Sequence, residues 1–206
     1  MFTTPDIWNG GSFELTMELG AHDEEKLREA RRTLWGHPDL EGCYLDRERE
    51  PEDQERVDLD SVSLPGLEPL YGFATLPAGP VIPCRSLTIA LDDGVDELVL
   101  CLPMGALGHA YEVGGYPCGN HASADWVEPV VEWLRGVGET VFARVRYRLG
   151  VVGYEVDTVD RDYEDLLRAG IPDQRWIGYL WPEEMMLRWY PPTRTTRFTA
   201  EPDGHP

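Results

Sequence analysis

Lysine is almost missing from this chain: of its 18 basic residues only Lys26 is a lysine, and the rest are arginine. No apolar run approaches the ~20 residues that a membrane-spanning helix needs, so a helical span is excluded. The opening segment "MFTTPDIWNGG" has neither the basic start nor the apolar core of a signal peptide. The four cysteines, Cys43, Cys84, Cys101 and Cys118, are widely spread and form no C-x-x-C pair. That removes the usual spacing of a structural zinc site. Phosphate-binding, nucleophile-elbow, zincin and EF-hand spacings are also missing. These absences lead to the expectation of a cytoplasmic protein with reduced thiols, no membrane partner and no cofactor or metal.

What is abundant is acid. Asp and Glu number 38 against 18 basic residues, a formal net charge of −20. A polyanion is repelled by phosphate backbones and by anionic lipid, so direct nucleic-acid binding is disfavoured. A basic protein partner would be attracted from a distance. Arginine in place of lysine suits bidentate pairing with carboxylates, although biased codon usage gives the same count.

The patterning predicts an α+β fold with a mainly antiparallel or mixed sheet and about three helices, in a single domain over residues 1–193. "SFELTMEL" alternates apolar and polar residues, as a half-buried strand does. Asp23 then caps "EEKLREARRTLW", which Gly36 and Pro38 end. "LEGCYLD" and "LYGFATL" read as short strands, and the charged run 47–60 between them reads as a solvated loop. "SLTIALDDGVDELVLCLP" is the clearest hairpin, and Leu98 to Leu102, apolar on both faces, predicts a central strand. Asp125 and Glu128 fit a capping box for the helix "WVEPVVEWLRG". "TVFARVRYRLG" alternates again and predicts a strand continuing into "VVGYEV", with a bulge in "GVVG". A third helix is expected at about Asp160 to Arg168. A last hairpin turns at Pro182-Glu183-Glu184, and 194–206 form a polar tail.

Three constellations could carry chemistry. "YPCGNHASADW" brings Cys118, His121 and Asp125 within eight residues, beside Tyr116. As nucleophile, base and orienter they would make a thiol site. Triads are normally assembled from separated segments, however, and a turn leading into a capped helix accounts for the same residues. Arg144, Arg146 and Arg148 share one face of the expected strand. There they would grip an anion or, more simply, pair across the sheet with acids. Trp176, Tyr179, Trp181 and Trp189 crowd the last hairpin, either as a partner-binding surface or as core.

The composition favours a non-catalytic, acidic interaction module, for example an immunity- or inhibitor-type protein that blocks a basic partner. The rival is an enzyme whose site is assembled from distant residues around Cys118 and His121.

Overall fold

The structure is a computed structural model that describes residues 2–60, 68–90, 94–114, 116, 125–156 and 163–194. One antiparallel sheet of eight strands organises it. The strands are β1 (Ser12–Ala21), β2 (Leu40–Tyr44), β3 (Leu70–Thr75), β4 (Val81–Ala90), β5 (Val95–Pro103), β6 (Leu149–Tyr154), β7 (Gly178–Glu183) and β8 (Met186–Tyr190). Their order is β2–β3–β4–β5–β1–β6–β7–β8. Two meanders, β2 to β5 and β6 to β8, are thus joined through β1, which pairs with β5 on one side and β6 on the other.

Four α-helices lie among the described residues, not about three: α1 (Glu24–Trp35), α2 (Met104–Ala110), α3 (Val127–Arg144) and α4 (Tyr163–Ala169). The Asp23 carboxylate accepts the Lys26 N–H at 3.1 Å and so caps α1, as its sequence predicts. Helices α1 to α3 cover one face of the sheet. On it Leu15, Met17, Leu98, Leu100 and Val152 meet Leu27, Leu34, Val130, Leu134 and Val137. On the opposite face α4 sets Leu166 against Leu149, Val151, Ile177 and Tyr179. At the far end of that face Phe2 packs with Tyr44 and Tyr71.

Three local readings change. β1 is not half-buried: Ser12 to Leu19 are buried on both faces, because the strand is central in the sheet. The segment "TVFARVRYRLG" is not one strand either, since α3 continues through it to Arg144 and β6 begins at Leu149. Val130, Leu134, Val137 and Val141 form a helical stripe, and its burial against β1 and β6 outweighs the local alternation. Gly138 lets the helix approach the sheet, because a Cβ there would press into Leu180 and Leu15. Finally, "GVVG" pairs with β1 in unbroken register, and the irregularity falls instead in β1, between Glu18 and Gly20.

The β4–β5 hairpin forms as expected, with its turn at 91–93 outside the described residues. The last hairpin pairs Glu183 with Met186, which moves its turn to Glu184 and Met185, with Glu184 at a φ of 54°. The charged run 47–60 is a loop with one 3₁₀ turn at Pro51–Asp53, tied down where the Val57 N–H reaches the Cys43 carbonyl at 2.7 Å.

Candidate functional site

Cys118 and His121 lie outside the described residues. Asp125 lies two positions before α3, and the N-cap position is Trp126, which makes no side-chain capping bond. The expected capping box is therefore out of register: Glu128 sits at the second helical position rather than the third, which Pro129 fills. Tyr116 packs against Phe13, Trp126 and Tyr154, and burial pushes its phenol up to about 12. The thiols of Cys43, Cys84 and Cys101 are buried. Burial pushes Cys43 up to about 12 and raises Cys84 as well, which opposes thiolate chemistry at these positions. Among the described residues, no three His, Cys, Asp or Glu side chains converge as a metal ion would require.

The arginine row does not exist as a row. Arg144 ends α3, and Arg146 donates to the Met185 carbonyl at 3.0 Å and lies over the Phe142 ring. Arg148 turns to the other side, where it pairs with Glu18 and stacks on Tyr163. Residues that alternate along a strand share a face, whereas these three pass from a helix through a turn into a strand, so their directions diverge.

The tryptophans are divided by the sheet. Trp181 stacks on Tyr163 of α4, Trp176 packs in the same cluster, and Tyr179 is buried within it. Trp189 lies on the opposite face beside α3, where its indole N–H donates to Glu132 at 3.0 Å. What the hairpin does expose is its tip, Met185 and Met186, about three-quarters accessible.

A polar patch that the sequence pattern assigns to solvent lies at the centre of the sheet. Glu14, Thr16 and Glu18 of β1 share the face opposite α1–α3 with Glu97 of β5, and all four are at most 4% exposed. Glu18 and Glu97 are directly opposed in the β1–β5 register. Like charges in such positions destabilise a sheet, and Arg148 supplies a neutralising cation to Glu18. Carboxylates are rarely this buried unless paired.

A second acid couples the β1–α1 connection to the β4–β5 hairpin. His22 Nδ1 lies 3.0 and 2.9 Å from the two oxygens of buried Asp96, which also accepts the Asp23 N–H at 3.2 Å. The hydrogen bond and the charge of Asp96 raise the His22 pKa above its ordinary value. A raised folded-state value stabilises the protein fully below the unfolded pKa of ~6.5 and loses that effect as pH rises through the folded value. The stability difference between wild type and His22→Ala should therefore be largest below pH ~6.5 and shrink steadily above it. Denaturation at a series of pH values measures it, and a pH-independent difference would contradict the pairing.

A concave groove of about 400 Å³ lies between the start of α3 and the chain that follows β8. Its floor is Val127 and Val131, one wall is Pro191 and Pro192, and the other carries Glu128 and Glu132. Glu128 and Glu132, four apart in α3, align along one helical face. Glu132 is held by two donors, Trp189 and Arg135 (2.9 Å). Thr193 and Arg194 close the end, where the Thr193 hydroxyl meets the Asp173 and Arg175 carbonyls and Arg194 Nε donates to Gln174. With Asp125, Glu128 and Glu132 against Arg194, the lining is acidic on balance. No signal in the sequence marks it, because its two walls are about sixty residues apart. No family model matches the chain, and no curated protein or solved structure matches it either.

Proposed function

We propose that this chain is an acidic, non-catalytic interaction module that binds a basic protein, in the manner of an immunity or inhibitor protein that blocks a basic toxin or nuclease. The charge carries this reading. Arginine is engaged within the fold: Arg28 pairs with Glu25, Arg56 with Glu41, Arg135 with Glu132 and Glu139, and Arg188 with Glu183. Such pairs cancel charge locally and leave the excess of 38 acids over 18 bases uncompensated. A surface of one sign steers an oppositely charged partner into encounter and repels nucleic acid.

The test is kinetic. A partner captured from the native host at low salt should associate fast, and its on-rate should fall clearly as salt rises while its off-rate changes little. The Debye length shortens over that range from ~30 Å at 0.01 M to about 8 Å at 0.15 M. Salt-insensitive association would remove steering as the basis of the function. A small molecule that raises the melting temperature, with no protein partner found, would favour the enzyme reading instead.

A further inference from the structure

We propose that the groove between α3 and the Pro191–Pro192 segment receives one arginine side chain of the partner. The inference rests on the basic-partner reading and narrows it to a residue type and a place. At about 400 Å³ the groove is near the low end of ligand-pocket volumes, which suits one long side chain better than a folded peptide. Val127, Val131 and the two prolines offer an apolar bed for the aliphatic stem. The charged head then reaches Glu128 and Glu132, one helical turn apart on the rim. Among the described residues none donates a hydrogen bond to Glu128.

Glu132 differs from Glu128 in being fixed before any ligand arrives. Its carboxylate accepts the Trp189 indole on one oxygen and Arg135 on the other, and each oxygen keeps a second lone pair. A fixed acceptor reduces the ordering cost of binding. The guanidinium is the better fit than an ammonium for two reasons. It presents a planar fork to paired carboxylates, and it loses less hydration on entering an apolar bed. The Thr193 hydroxyl and Arg194 Nε are bonded to the 173–175 segment, and three lining carboxylates outnumber the one lining guanidinium. The same contacts hold the proline wall in place.

The probes are Nα-acetyl-arginine amide, Nα-acetyl-lysine amide and Nα-acetyl-norleucine amide, followed by the Trp189 indole N–H resonance. The arginine probe should saturate the shift at a concentration several-fold lower than the lysine probe, and the norleucine probe should not saturate it. Glu128→Gln/Glu132→Gln should weaken the arginine probe roughly tenfold or more, about the loss of one charge-assisted hydrogen bond. Glutamine still accepts from Trp189, so the fold and the reporter survive. Glu52→Gln/Glu55→Gln removes the same charge from exposed loop positions and should leave the probe within about twofold. No saturation in wild type, or equal loss in both double variants, would overturn the groove. The partner experiment separates the two levels of inference. A basic protein bound equally by wild type and by Glu128→Gln/Glu132→Gln keeps the function and overturns the groove, whereas salt-insensitive capture overturns the function itself.

Discussion

Arg148→Met should be among the most damaging single changes in the chain, costing about 3–5 kcal/mol. The Glu18 carboxylate is buried on the sheet, and Arg148 reaches it from the start of β6 with about a third of its own side chain in solvent. Removing the cation leaves Glu18 in a low-dielectric site directly opposite Glu97. The contact of the guanidinium with the Tyr163 ring, at 4.7 Å, disappears as well, for a further ~0.5–1 kcal/mol. Methionine keeps most of the apolar stem, so the loss reports charge rather than volume. Urea denaturation measures it, and the deficit should shrink on acidification, when protonation removes the carboxylate charge that Arg148 faces. A loss under ~1 kcal/mol would mean that Glu18 is held by its other neighbours.

The carboxylates explain why part of the fold was legible in the sequence and part was not. Short-range patterns were reliable where one physical cause decided the outcome. Asp23 caps α1, the β4–β5 hairpin closes, and the doubly apolar stretch of β5 lies centrally with both faces buried. Alternation misled in two places. In β1 the polar residues of the alternating pattern are buried too, because burial depends on strand order, which a local pattern does not encode. In α3 both a helical and an alternating stripe could be drawn through Val141, and contacts with β1 and β6 more than a hundred residues and a few residues away decided between them. Gly136 and Gly138 look like helix stops, yet Gly138 marks close helix–sheet approach.

The candidate site was harder still. Acidity is visible from composition and Trp189 from its aromatic neighbours, but the Glu132 that its indole meets is 57 positions away. The arginine row failed because it assumed a strand that is largely helix and turn. The tryptophans were legible as a group in sequence and are separated by the sheet in space, with Trp181 and Trp189 on opposite faces. The groove gathers acids and an apolar bed into one accessible place, with the Trp189 indole bonded to one of its carboxylates.

Leu15→Ala should cost about 2–5 kcal/mol and should destabilise both meanders together. Leu15 is fully buried at the middle of β1, in register with Leu100 on β5 and Val152 on β6. Its Cδ1 also lies within reach of Gly138, where α3 comes closest to the sheet. The cavity left by truncation therefore borders both meanders and the covering helix, and none of them can collapse into it without moving the others. Because β1 stands between β5 and β6 in the strand order, each meander loses an inner neighbour if β1 detaches. Two indoles report the halves separately: Trp35, packed against Gly72 of β3, and Trp189, packed against Gly178 of β7. With 5-fluorotryptophan labelling, both resonances should lose their native positions at the same denaturant concentration, in wild type and at a lower concentration in Leu15→Ala. If Trp189 melted before Trp35, the second meander would be a separate unit, and the stability of the groove it borders would be set locally rather than by the whole sheet.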